Sequence, residues 1–203
     1  MSYNTSSWLK RMRLRSDMSA YVTHLTRENE DLNMRGVDVL IKILKEKKLK
    51  GSNNNGFISG SDTAVCFQDA PLHGITQNLI HEQFNREELG GKIRYRPYGI
   101  CFRKEYVFRK GGRPVIYEQR EFAKQNFKNE LWRVVTFDLS SNDKVIDWTH
   151  EREWRVKGDF TFELKNATVV VTNKNAYKKF IKRVDKDILN EIAGIIVLDP
   201  ILT

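Results

Sequence analysis

Glu151-Arg152-Glu153-Trp154-Arg155 sets two carboxylates two residues apart in a segment that otherwise reads as a strand, Glu151–Val156. Residues i and i+2 of a strand share one face. Glu151, Glu153 and Arg155 are therefore expected on one side, and Arg152, Trp154 and Val156 on the other. Like charges held side by side repel, so the pair needs a use or a compensating cation. The chemistry such a pair can do is to stabilise positive charge developing on a sugar ring. Taken alone, a Glu-x-Glu fits a solvated edge strand far better.

Other chemistries find less support. His24, His73, His81 and His150 are scattered, with no CxxC and no HExxH, so no metal site is expected. No phosphate-binding loop of the Gly-x-x-x-x-Gly-Lys type occurs, and no GxGxxG follows a strand. Cys66 and Cys101 sit inside apolar runs and read as buried thiols of a reducing cytosol; a Cys–His pair using Cys66 is the alternative.

The elements that must position these residues can be read from periodicity. Tyr21–Thr26 is β-rich. Val37, Leu40, Ile41, Ile43 and Leu44 recur at helical spacing, with Gly51 as a stop. A Gly/Ser/Asn loop over 51–61 leads to a buried strand, Ala64–Phe67, then a helix around 75–89 closed by Gly90-Gly91. Tyr98–Arg103 and Pro114–Tyr117 flank the turn signal Gly111-Gly112. A helix over Glu121–Leu131 is followed by strands Trp132–Phe137, Glu151–Val156, Phe160–Leu164 and Thr168–Thr172. A helix over 175–190 and a last strand, Gly194–Leu198, end the series. Early helices, late strands and no regular βαβ alternation predict an α+β fold with a mixed or antiparallel core. One domain over 1–203 is expected, its first twenty residues forming a basic arm or short helix.

The chain has 203 residues, 40% hydrophobic and 30% charged, which fits a globular protein. No apolar run approaches the roughly 18–20 residues of a membrane span, and the basic N-terminus makes no secretory signal, so a cytoplasmic protein is expected. The net charge is +9. From Lys92 to Lys128 eleven Lys/Arg face three acids, with Tyr95, Tyr98, Phe102, Tyr106, Phe108 and Tyr117 among them. Cations for phosphates and aromatics for bases predict a nucleic-acid surface, with Arg94, Arg96, Arg103, Lys104, Arg109, Lys110 and Arg113 as contacts. The alternative is a solvated basic face with ordinary core aromatics.

His24-Leu25-Thr26-Arg27 on an early strand, Cys66-Phe67-Gln68-Asp69 on a middle one and Glu151-Arg152-Glu153 on a late one resemble the ADP-ribosyltransferase superfamily. More specifically, Tyr21–Arg27, Val39-Leu40…Ile43-Leu44…Leu49, Val65–Leu72, Tyr98-Gly99-Ile100, Arg113–Tyr117 and Trp148–Arg155 are similar to bacterial abortive-infection proteins of the AbiGi-like type, across about residues 20–160. A more distant similarity is to the DNA-modifying ADP-ribosyltransferase toxins. The resemblance implies an ADP-ribosyltransferase-like core with flanking helices and NAD as co-substrate. It gives Glu153 the task of stabilising the ribose cation and Glu151 that of orienting or deprotonating the acceptor, with Arg155 keeping both acids ionised. His24 would hold the NAD ribose, helped by Thr26 or Arg27. Gln68 or Asp69 would line the pocket where family members commonly carry Ser or Tyr, a departure from the pattern. Arg113 is open between a pyrophosphate contact and a surface arginine beside a turn. The acceptor expected is nucleic acid, RNA ahead of DNA, and the setting a phage-defence toxin controlled by an antitoxin protein. The rivals are a protein-modifying transferase and a catalytically silent nucleic-acid-binding antitoxin.

Overall fold

The computed structural model describes residues 2–28, 34–52, 58–88, 91, 95–142 and 145–202. Arg94, Gly90 and the centre of the 51–61 loop lie outside these residues. The chain begins with α1 (Thr5–Arg13). Asn4 caps it by accepting the Ser7 N–H at 2.8 Å, and Lys10, Arg11 and Arg13 sit at the end where the helix dipole favours cations. β1 (Tyr21–Leu25) leads to α2 (Gly36–Glu46), whose Val37, Leu40, Ile41 and Leu44 form a buried stripe at helical spacing. Lys47, at φ +50°, ends that helix in place of Gly51. β2 (Lys48–Leu49), β3 (Ala64–Gln68), α3 (Leu72–Phe84) and β4 (Gly99–Arg103) follow. A short helix, α4 (Lys104–Arg109), then occupies a stretch where sequence reading placed none.

Next come β5 (Arg113–Pro114), β6 (Ile116–Glu118), α5 (Arg120–Asn126), β7 (Val134–Thr136), β8 (Glu153–Lys157), β9 (Phe160–Thr161) and β10 (Thr168–Val171). The expected strand Pro114–Tyr117 is thus broken at Val115, and its halves pair with different strands. The expected helix over 175–190 is two: α6 (Lys174–Arg183) and α7 (Lys186–Glu191). The ladder stops at extended Val184 and restarts at Asp185, a residue type suited to an N-cap. β11 (Gly194–Val197) and α8 (Asp199–Leu202) complete the described chain.

The fold is α+β. Seven strands form one sheet in the order β11-β10-β4-β1-β3-β8-β5, antiparallel except for the β10–β11 pair. Two small two-stranded sheets, β2–β9 and β6–β7, flank it. The large sheet is not uniformly knit. β1 pairs with β4 at five positions and β3 with β8 at five, but β1 and β3 meet at one pair, Thr23 and Gln68. A seam therefore divides it into a four-strand and a three-strand half. Register assigns the faces. Val22, Phe67, Phe102, Val156 and Val169 join α2 and α6 in the larger core, whereas Leu25, Cys101 and Val170 pack with Ile75 and Leu79 of α3 in a smaller one. β1 and β4 approach so closely near the seam that a Cβ on Gly99 would lie 2.3 Å from the His24 carbonyl oxygen. Among the described residues no helix is long and apolar enough to cross a membrane.

Candidate active site

The two glutamates meet through a turn, not through a shared strand face. Thr149–Glu151 form a 3-10 turn, anchored by Asp147, whose Oδ1 accepts from the Thr149 backbone N–H at 2.8 Å and the Thr149 hydroxyl at 2.7 Å. Arg152 then adopts the left-handed conformation (φ 46°, ψ 51°), which costs a non-glycine residue about 1–2 kcal/mol. Its carbonyl accepts the Asp69 N–H at 3.1 Å, and its guanidinium donates to the Asp17 carbonyl. β8 begins only at Glu153, so the expected strand from Glu151 is corrected. The reversal nonetheless turns both acids inward, leaving Glu151 6% and Glu153 7% exposed.

Their environments differ. Arg155, fully buried, grips Glu153 in a two-pronged ion pair, Nε to Oε1 at 2.8 Å and an Nη to Oε2 at 3.1 Å. Arg155 also donates to the carbonyls of Trp132 (3.1 Å) and Val134 (3.2 Å). The Glu153 N–H donates to the Tyr117 hydroxyl at 3.1 Å, which itself donates to the Trp148 carbonyl at 3.3 Å. Glu151 receives the hydroxyl of Tyr95 on Oε1. Burial pushes the Glu151 carboxyl up to about 7, with the charge of Glu153 adding to the rise and the Tyr95 hydrogen bond opposing it. One acid is thus clamped by a cation, and the other titrates near neutrality. Such splitting separates an electrostatic role from an acid–base role.

Register sets Gln68 opposite Glu153 and Cys66 opposite Arg155, so these four share a face of the sheet. Gln68 is 5% exposed, yet neither its Nε2 nor its Oε1 has a hydrogen-bond partner among the described residues. A buried amide left unpaired costs about 1–3 kcal/mol, which makes this side chain a natural contact for a polar ligand at the seam. Asp69, by contrast, is committed. Lys104 Nζ lies 2.6 Å from its Oδ1, and Trp154 Nε1 donates to its Oδ2 at 3.1 Å; burial raises its pKa against the pull of those two donors.

His24 stands on the other face. Its ring lies edge-on to Phe67, with centroids 5.9 Å apart, and its Nδ1 is 2.8 Å from the Cys66 carbonyl oxygen across the seam. A carbonyl only accepts, so Nδ1 carries the proton. Burial lowers the pKa of the ring and favours its neutral form, in which Nε2 is an acceptor. His24 and Glu153 are therefore back to back across β3 rather than side by side. The same bond disposes of a Cys–His pair, because His24 meets the Cys66 backbone. Burial and the Glu153 carboxylate also push the Cys66 thiol up, away from the reactive thiolate. Thr26 spends its hydroxyl on the Tyr98 carbonyl at 3.2 Å, while Arg27 is exposed beyond the end of β1.

No family model, curated protein or solved structure matches the chain. Its chemistry must be read from its own side chains. Among the described residues no three His, Cys, Asp or Glu side chains are placed to hold a metal ion. A cavity of about 430 Å³ lies elsewhere, lined by Asp38, Lys42, Lys45 and Glu46 of α2 and Arg183 of α6, and shares no residue with the acid cluster.

The basic segment is more neutralised than its composition suggests. Lys104, expected on a nucleic-acid surface, is only 9% exposed and turned toward Asp69. Arg96 pairs with Glu28 (3.3 Å) and Arg103 with Glu105 (3.0 Å). Arg113 donates to the carbonyls of Phe108 and Gly112, with its guanidinium 4.0 Å from the Phe108 ring centroid. Arg109 and Lys110 are exposed, Lys110 lying 5.4 Å from the Tyr106 ring centroid. The aromatics are mostly internal. Phe102 and Tyr106 are buried, Tyr95 and Tyr117 serve the acid cluster, and Phe108 is the exception at 50% exposure. Tyr95 and Tyr117, read in the sequence only as aromatics among the basic residues, are the members of the acid cluster that sequence reasoning did not place there. Nothing in their local pattern marks them, since the first is 56 residues from its partner Glu151.

Proposed function

We propose that the chain transfers ADP-ribose from NAD to a macromolecule, with nucleic acid as the acceptor. The observation that carries this reading is the pair of buried glutamates in contrasting surroundings, Glu153 clamped by Arg155 and Glu151 near neutral pKa beside Tyr95. The nicotinamide–ribose bond breaks with its electron pair going to the pyridinium nitrogen, so nicotinamide leaves neutral and C1′ becomes an oxocarbenium-like cation. A fixed anion at Glu153 stabilises that cation, the kind of preorganised electrostatics that usually dominates catalysis. The acceptor atom forms its bond to C1′ and gives its proton to ionised Glu151, a general base whose pKa suits pH 7. Gln68 offers one donor and one acceptor from a buried position, the complement of a carboxamide such as that of nicotinamide. His24 Nε2 remains an acceptor for a hydroxyl, on the far side of β3. The resemblance adds a setting, a phage-defence toxin held in check by an antitoxin.

A second reading, a catalytically silent module, is favoured by one observation: both Glu153 oxygens are committed to Arg155, as in a purely structural ion pair. Incubation with labelled NAD and a mixture of RNA, DNA and cell protein separates the two and names the acceptor fraction. Glu153→Gln should cut labelling by about 10²–10³-fold and relieve toxicity on expression. Gln68→Met provides a check that does not depend on the ion pair. It removes an unpaired buried amide, so it should stabilise the protein by about 1–2 kcal/mol while raising the NAD concentration needed for transfer. No labelling by the parent chain would sink the transferase reading, and labelling undiminished in both variants would take the site away from Glu153 and Gln68.

A further inference from the structure

The surplus positive charge of this chain collects where the sequence does not single it out. α6 carries Lys174, Lys178, Lys179, Lys182 and Arg183 and no acid. At about 100° per residue, Lys174, Lys178 and Lys182 fall within about 80° of one another on the helix, and Lys179 adjoins them. All four are exposed. Among the described residues none has an acidic partner, whereas Arg183 at the edge of the stripe pairs with Asp38 of α2. The opposite face of α6 is fixed in the protein: Ala176 and Phe180 are buried, and Tyr177 and Ile181 pack on the large core. Asn173 anchors the start of the helix by accepting the N–H groups of Asn175 (3.1 Å) and Ala176 (3.0 Å). The lysines therefore ride on a rigid element whose apolar side is spent. The nearest acids in sequence, Asp185 and Asp187, lie beyond the C-terminal end, and Asp185 is already paired with Lys45.

We infer that the outer face of α6 is a docking surface for double-helical nucleic acid, gripping the phosphodiester backbone without reading bases. Lysines are strongly hydrated point charges suited to phosphates, and this face has no fork-shaped arginine free for base edges. It also lacks an exposed aromatic on which unstacked bases could lie, as single-strand binders use. A duplex offers the denser charge, one phosphate per about 1.7 Å of axis, so a purely electrostatic surface favours it. A membrane surface fits less well, because no apolar side chain on this face is available to insert. The surface stands apart from the acid cluster and from the transferase reading, since backbone binding needs no NAD.

The test uses the whole chain and fluorescence anisotropy, with a labelled DNA duplex of about 20 base pairs and one of its single strands, across a salt series. Replacing Lys174, Lys178, Lys179 and Lys182 together by Gln should weaken duplex binding about tenfold or more near 0.1 M salt and reduce the slope of log K against log salt by about 3–4. Replacing Arg103, Arg109, Lys110 and Arg113 by Gln should change affinity by less than about threefold. The unfolding midpoint of each variant, measured in urea, confirms that the fold is intact. Four results overturn the proposal: no duplex binding by the parent chain, an unchanged salt slope in the α6 variant, equal or tighter binding of the single strand through the same lysines, or preferential binding to phosphatidylserine vesicles. Loss of NAD turnover in any variant leaves this result untouched, so the two ideas fail separately.

Discussion

The start of β8 and the outer face of α6 handle charge in opposite ways. The Arg155–Glu153 charges are inside and compensated: the guanidinium is fully buried, with two prongs on Glu153 and further hydrogen bonds to the Trp132 and Val134 carbonyls. Along α6 four lysines are outside and have no acidic partner among the described residues. Desolvation explains the difference. A charge taken out of water must be repaid by a partner in good geometry, whereas a solvated charge needs none and contributes little. Net charge counted along a sequence cannot tell these cases apart, but the response to substitution can. Buried charges should act on stability, and exposed ones on binding and on the effect of salt.

The largest effect is expected at Arg155. Arg155→Met strands an ionised Glu153 in the interior and should cost about 3–5 kcal/mol in urea unfolding. Adding Glu153→Gln to that variant removes the stranded charge and should restore much of the loss, because replacing a whole buried pair is far cheaper than breaking it. A loss below about 1 kcal/mol for Arg155→Met alone would mean that the pair is wet, and the contrast with α6 would collapse.

Next comes Glu151, whose carboxyl has a folded-state pKa of about 7 against an ordinary value of 4.5. The folded protein then holds a proton between about pH 4.5 and 7 that the unfolded chain has released, so stability falls as pH rises through this window. Above pH 7 the full penalty, about 3 kcal/mol, is present; below pH 4.5 it vanishes. Glu151→Gln keeps an oxygen for the Tyr95 hydroxyl and abolishes the titration. It should therefore be more stable than the parent at pH 8 by about 3 kcal/mol, with little difference at pH 4.5. Urea midpoints at the two pH values test the sign directly. A parent chain whose stability is flat between them would place Glu151 in solvent and leave it without an acid–base role.

How much of this was legible depended on how local the cause was. The stripe Val37, Leu40, Ile41 and Leu44 reads as a helix because one periodicity fixes it, and it is one. β1, β3 and β4 were legible from β-rich runs, and the mixed sheet from their order. The start of β8 was not, because Arg152 adopts a left-handed conformation that no Gly or Asn signals. α4 was missed because Tyr106, Val107 and Phe108 favour strands, although the Lys110 N–H closes the helix onto the Tyr106 and Val107 carbonyls. The Glu151–Glu153–Arg155 cluster was visible as a constellation, but Tyr95 and Tyr117 reach it only through tertiary folding. Charge was the least legible property. Lys104 looks like its neighbours in sequence, yet it is neutralised by Asp69, 35 positions earlier. The lysines of α6 alternate in sequence with the apolar Tyr177, Phe180 and Ile181, so only the helix separates them onto an outer face.

The smallest effect should come from α6. Lys and Gln have nearly equal helix propensity, and the four lysines have no acidic partner to lose. Lys174, Lys178 and Lys182, spaced i, i+4, i+8, repel one another by about 0.2–0.5 kcal/mol per pair at low salt. The variant with all four replaced by Gln should therefore be slightly more stable than the parent at low ionic strength, by no more than about 1 kcal/mol. Salt shortens the screening length to about 3 Å at 1 M, which removes the repulsion and with it the difference. Urea midpoints in roughly 0.01 M and 1 M salt should converge from that direction. A variant that is instead less stable at low salt would mean that these lysines have anionic partners, and the opposition between the two regions would no longer hold.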